Sequence, residues 1–248
     1  MPVPELSAAA VLDLWEAAER RRPLERALTL AAAAGEGPGA EELAALPVGR
    51  RDARILALHA ALGGGALEAT ARCPGCGEQA EFAVDVEALL ATVREAAPAA
   101  PVEADGLVVA WRPPDSRDLA AAARAADAAA AERVLLERGV TSVTGPDGEL
   151  DAIRLPAPAR AAVARAMAEA DPLAEVLVDA VCPACGAEFV ADLDVAGFVW
   201  AELRAHARRL LREVDALARA YGWTEAEVLS LDERRRAAYL ELAHGGRA

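Results

Sequence analysis

The chain contains four cysteines, all in two nearly identical pentapeptides, Cys73-Pro74-Gly75-Cys76-Gly77 and Cys182-Pro183-Ala184-Cys185-Gly186. A Cys-x-x-Cys turn brings two thiols to one side of a tight bend, and a glycine after the second cysteine supplies the backbone angle that lets amides point back at the sulfurs. Two such turns offer the four thiolates that Zn²⁺ takes in a tetrahedral shell at about 2.3 Å. Cys73, Cys76, Cys182 and Cys185 are therefore the candidate ligands of one Zn²⁺ ion. A closed Cys₄ shell has no position for water or substrate, so the chemistry expected of it is structural and not catalytic.

Other uses of these residues stand beside that one. A dithiol oxidoreductase of the thioredoxin type places a single Cys-x-x-Cys at the start of a helix after a strand; here the motif recurs, and a strand-like stretch follows each copy. The bland reading is four buried thiols acting as small hydrophobes, or a site that has lost its metal. Disulfides of an exported product are disfavoured because the N-terminal residues lack a basic region and an apolar core. The two knuckles are expected to meet within one chain, with ligands shared between the chains of a dimer as the alternative.

The elements that must position the cysteines read as strands. Leu67 to Arg72 enters the first knuckle and Ala80 to Val86 leaves it; Val176 to Val181 enters the second and Glu188 to Val195 leaves it. Aligned on the cysteines without a gap, Asp85-Val86 falls on Asp194-Val195, and Leu89 and Leu90 fall on Phe198 and Val199. This is an internal repeat of a strand, knuckle and strand unit, the construction of a zinc ribbon.

Little else in the chain has the spacing of a reaction centre. His59, His206 and His244 each lie in or just after an expected helix, and none stands at a catalytic spacing from a serine or cysteine. No carboxylate pair stands out of the acidic background, and no phosphate loop or dinucleotide fingerprint occurs. An enzyme and a small-molecule substrate are not expected.

Composition narrows the rest. At 248 residues the chain suffices for one large or two small domains. Hydrophobic residues are 54% but aromatics only 4%, with alanine dominant, which favours helix. A net charge of −14 repels phosphate backbones, so nucleic acid is an unexpected partner. No apolar run approaches the ~20 residues needed to span a bilayer, so no membrane contact and a cytoplasmic location are expected.

Along the chain, Ser7 caps a helix to about Arg21, and Pro23 opens a second. A loop from Gly35 to Gly39 precedes a short helix, and Leu46-Pro47-Val48-Gly49-Arg50-Arg51-Asp52 turns into a helix carrying Ile55, Leu56 and Leu58, ended by Gly63-Gly64-Gly65. Between the hairpins, Ala97 to Pro101 reads as a linker and Leu107 to Arg112 as a strand. Pro113-Pro114-Asp115-Ser116 then starts one long alanine-rich helix to Gly139, Thr144 to Gly148 is a turn, and Pro158 opens a helix to about Ala170. Phe198 to Tyr221 is a long amphipathic helix stopped by Gly222, and two capping boxes, Thr224 to Glu227 and Ser230 to Glu233, start the last two helices. Their spacing resembles a helix-turn-helix, but Arg234-Arg235-Arg236 is the one basic run there, and docking to a protein fits the charge better than DNA.

These segments carry a further likeness. Asp13-Leu14-Trp15-Glu16, Arg26-Ala27-Leu28, Leu46 to Asp52, both knuckles, Leu135-Leu136-Glu137-Arg138, Phe198-Val199-Trp200, Leu217 to Leu229 with its Tyr221-Gly222-Trp223, and Arg234 to Leu240 resemble the T4-type baseplate hub assembly chaperone or baseplate protein family. That family is encoded with contractile phage tails and extracellular contractile injection systems. The resemblance spans nearly the whole chain. It implies a non-enzymatic protein that helps assemble a baseplate or hub, with baseplate, hub or tail proteins as partners, acting in the cytoplasm or inside the particle. Tyr221, Trp223, Leu229 and Tyr239 are the candidate partner contacts, since exposed aromatics commonly anchor interfaces; packing of the last helices on one another is the alternative. A transcription-associated zinc-ribbon adaptor is the second reading of function.

The expected fold is α+β and mostly α-helical. N-terminal helices occupy 1–66, the first knuckle hairpin 67–95, a mostly helical insertion 96–175, the second hairpin 176–197 and C-terminal helices 198–248.

Overall fold

In the computed structural model, residues 6–35, 37–95, 99–146, 148–151 and 155–245 are described. The extreme N-terminus, part of the expected 97–101 linker, Asp147 of the expected turn and Gly246 lie outside them.

Caps and breakers set the first helices. The Ser7 hydroxyl accepts from Ala10 N–H and starts α1 (Ala8–Glu19); Pro23 occupies the first turn of α2 (Pro23–Ala33), where no backbone donor is lost. Short α3 (Ala40–Ala45) and then α4 (Val48–Ala61) follow. The first hairpin pairs β1 (Leu67–Arg72) with β2 (Gln79–Val84), Ala71 opposite Ala80 at the knuckle.

The strands leaving the knuckles are shorter than expected. Asp85 and Val86 do not continue β2: the Asp85 carboxylate accepts from the N–H groups of Glu87 and Ala88 and opens α5 (Val86–Glu95). Asp194 does the same in the second copy, accepting from Gly197 N–H at 2.9 Å to open α9 (Val195–Tyr221). The repeat is thus hairpin plus capped helix.

The insertion departs most from expectation. The single long helix is two, α6 (Ser116–Ala122) and α7 (Ala128–Gly139), broken before Asp127, whose carboxylate caps α7 through Ala130 N–H. In place of one strand there is a four-stranded antiparallel sheet of β3 (Val102–Ala104), β4 (Leu107–Trp111), β5 (Val140–Gly145) and β6 (Gly148–Leu150), paired in that order. Helix α8 (Ala157–Ala170) lies against it. Leu107, Val109, Trp111, Val143, Val163 and Met167 form a hydrophobic cluster belonging to the insertion alone. The second hairpin, β7 (Leu177–Val181) with β8 (Glu188–Asp192), follows.

A larger core joins the rest: Val11, Leu30, Ile55, Leu56, Leu67 and Leu203 bring α1, α2, α4, β1 and α9 together. Helix α9 ends at Gly222, and α10 (Glu225–Leu229) starts with the Thr224–Glu227 capping box. The cap of α11 (Glu233–Gly245) is Asp232, which accepts from Arg235 N–H at 2.8 Å. Ser230, expected in that role, donates its hydroxyl back to the Glu227 carbonyl. The architecture is mixed α+β and mostly helical, with small antiparallel sheets. No helix among the described residues is long and apolar enough to cross a membrane.

A buried polar seam joins the insertion to the main core. Val48 N–H donates to the Pro114 carbonyl, and Gly49 N–H donates to the Asp171 carboxylate at 2.9 Å. Arg51 grips Asp52 through two N–H groups and reaches the Ser116 hydroxyl at 3.2 Å. The Leu46-to-Asp52 segment, read from sequence as a turn into a helix, is therefore the joint between two hydrophobic clusters.

Candidate metal centre

Each knuckle is built by the same backbone bonds. Cys73 N–H donates to the Glu78 carbonyl and Gly77 N–H to the Cys73 carbonyl; in the second copy Cys182 N–H donates to Ala187 and Gly186 N–H to Cys182. That turn needs left-handed backbone at its last position, which Gly77 and Gly186 supply with φ of +77° and +71°. Gly75 N–H points at Cys73 Sγ at 3.3 Å, the amide-to-sulfur contact expected of such a turn.

The two knuckles meet within one chain. Cys73 Sγ lies 3.7 Å from Cys185 Sγ and Cys76 Sγ lies 3.6 Å from Cys182 Sγ, and all four sulfurs fall within 4.8 Å of one another. Thiolates at about 2.3 Å around a tetrahedral ion stand roughly 3.8 Å apart, so the donor set and its spacing both suit a metal. The cysteines are unbridged; Cys73 and Cys182 are buried, whereas Cys76 and Cys185 sit on the outer side.

The electrostatics of the cluster are compatible with a cation. The backbone N–H of Cys185 and, against the cost of burial, that of Ala184 bring the Cys182 thiol down to about 7. At Cys76 the Glu78 backbone N–H pulls downward, but the thiols of Cys185 and Cys182 prevail and push it up to about 12. One thiolate forms readily and the next is resisted by the first, a conflict that a divalent cation removes.

The aromatic candidates occupy a different place. Tyr221 and Trp223 stack with centroids 4.9 Å apart, and Tyr239 meets Trp223 edge-on at 4.8 Å, its carbonyl accepting from the Tyr221 hydroxyl. Tyr221 stays exposed. Leu229 is partly buried and packed against the main core. Of the basic run on α11, Arg236 is buried and spent on Glu213 and the Leu231 carbonyl.

Two polar groups carry weight that their sequence context did not reveal. His59 is buried and bonded through both ring nitrogens, to Glu202 and to the Gly65 carbonyl. Asp118, fully buried, is gripped by Arg112 through two N–H groups and by Arg138 through one. His206 is half-buried, and burial, with Arg209 nearby, lowers its pKa. The side chain of His244 lies outside the described residues.

Comparison of the chain with protein-family models, with curated proteins and with solved structures found no match.

Proposed function

We propose that this protein is a non-enzymatic assembly or structural component of a contractile tail or injection-system baseplate, its scaffold held by a structural zinc ion. The observation that carries the zinc is the thiol quartet, in which Cys73, Cys76, Cys182 and Cys185 would hold the ion and leave no coordination site for a substrate. What carries the assembly role is the sequence likeness over both knuckles, Leu46 to Asp52 and the Tyr221-Gly222-Trp223 segment. The placement of these pieces supports it. The knuckles join distant parts of the chain, Leu46 to Asp52 joins the insertion to the core, and the Tyr221 ring stays exposed for a hub or tail protein to contact.

Deleting the gene in a strain that makes contractile particles tests the role. The expected result is loss of assembled particles while sheath, tube and spike proteins are still made. Normal particles from the deletion strain would end this reading. Specific retention of the purified protein on DNA at physiological salt would replace it with the regulatory adaptor. Metal analysis of the same protein is the parallel measurement: a metal-free protein with a reactive low-pKa cysteine would favour dithiol chemistry.

A further inference from the structure

The two hairpins are copies of one pattern, so each is a control for the other. Aligned on the cysteines, inward Leu67, Ala69 and Phe82 fall on Val176, Val178 and Ala191, apolar in both copies; all but Ala191, which is itself buried, belong to or pack on the same core. The outward positions diverge. Where the first copy carries Glu68, Arg72 and Glu81, the second carries Leu177, Val181 and Val190, with 57%, 62% and 58% of their surfaces exposed. A scattered exposed valine needs no explanation, but three large apolar side chains on one face of a two-stranded ribbon do.

The face has a defined charge pattern and a neighbour. Across the ribbon Leu177 stands opposite Asp192, Val190 opposite Asp179 and Val181 opposite Glu188. Among the described residues, none of these carboxylates forms an ion pair. Leu177 also borders a groove of about 560 Å³ between α5, α7 and α8, lined by Leu89, Leu135, Ala164, Met167 and Val176, with Glu132 and Glu175 on it. Apolar surface thus runs from the groove onto the ribbon, with unpaired carboxylates along it.

We infer that this surface binds a basic, apolar segment of a second protein. Charge decides the occupant. A second copy of this ribbon would set Asp179, Glu188 and Asp192 against their own kind in a chain of net charge −14, whereas arginines or lysines beside leucines would meet both the carboxylates and the apolar strip. The inference concerns the chemistry of this face and stands apart from the tail-assembly reading, which a deletion strain tests separately.

Two synthetic amphipathic helical peptides are the probes, one with leucine on one face and arginine on the other, its counterpart with glutamate for arginine. Fluorescence anisotropy at physiological salt should show binding of the arginine peptide alone. The double substitution Leu177→Ser and Val190→Ser should weaken it about tenfold or more, with metal content and circular dichroism unchanged. Asp179→Asn with Asp192→Asn should also weaken it, while Glu68→Gln with Glu81→Gln, the same charge change on the first hairpin, should leave it within about twofold. The proposal is overturned if the arginine peptide does not bind, if the glutamate peptide binds equally, or if the first-hairpin variant loses as much as the second. It is also overturned if sedimentation shows a dimer that Leu177→Ser with Val190→Ser dissolves, for the face is then covered by a second copy.

Discussion

At His59 both ring nitrogens face acceptors, the Glu202 carboxylate at 2.5 Å from Nδ1 and the Gly65 carbonyl at 3.2 Å from Nε2. A neutral imidazole has one N–H, so only the imidazolium satisfies both. Hydrogen bonding to Glu202 raises the pKa and outweighs burial, with the charge of Glu202 and the Gly65 carbonyl adding to it. A raised folded-state pKa means stability fully present below the ordinary histidine value of about 6.5 and lost as pH climbs through the folded value. Glu202→Gln should cost about 1–2 kcal/mol near pH 6, a difference that shrinks on the alkaline side. Melting curves for both proteins across that range measure it, and a gap independent of pH would mean the ring is neutral. At the cysteines, Cys73→Ser should abolish stoichiometric metal binding, as elemental analysis of the purified protein would show.

Among the elements, the joints are polar. Asp118 holds the loop after β4 through Arg112, α7 through Arg138 and its own helix through Asp115 N–H. Burial alone would raise its pKa, but Arg112 and then Asp115 N–H and Arg138 overcome it and bring it to about 2. The depressed value makes this stability present above the ordinary carboxylate range of about 4 and lost as pH falls toward 2. Asp118→Asn should cost about 3 kcal/mol in urea unfolding at neutral pH, since it removes the anion that holds Arg138 and leaves Arg112 only its longer contact to Asp115 at 3.7 Å, and the cost should fade in acid. The Gly49–Asp171 joint is tighter still. A Cβ at Gly49 would collide with Asp171 Oδ1 and come within 3.0 Å of Ala174 N, so Gly49→Ala should destabilise by about 1–3 kcal/mol through the seam, with metal content unchanged. Ordinary stability at Gly49→Ala would show that the insertion yields at this joint.

For the whole molecule, the cysteine cluster and the insertion's own hydrophobic cluster are built from different residues. Zinc binding to small fingers is worth about 10–16 kcal/mol, comparable to the stability of a domain, so chelation should loosen whatever depends on the knuckles. The insertion has its own cluster around Val109, Val143 and Val163. Hydrogen exchange after chelation should therefore rise sharply in β1, β2, β7 and β8 and far less in β4, β5 and α8. Uniform loss of protection would show that the insertion depends on the knuckles for its order. Much of this architecture was legible beforehand. The α9 periodicity, the Ser7 and Thr224 caps and the duplicated knuckles are short-range patterns, and each stands where its residues put it. The four-stranded sheet escaped because β3 and β6 have three residues each, too few to show alternation. The α6–α7 break escaped because an alanine run favours helix throughout and marks no end.

What the sequence determined by itself is local and stereochemical: which cysteines form knuckles, where glycine must turn the chain, which aspartates and serines begin helices, and that one unit occurs twice. These follow from contacts within a few residues, where backbone geometry leaves little choice. Only the tertiary structure decided that the two knuckles close on each other in one chain, that Leu46 to Asp52 is a joint, that His59 meets an acceptor at each ring nitrogen, and that the outer faces of the two hairpins part company, the second carrying exposed Leu177, Val181 and Val190 among its carboxylates. Each depends on residues far apart in the chain meeting with particular atoms in reach, and on which face of a strand the core leaves bare. Spacing along the chain carries neither.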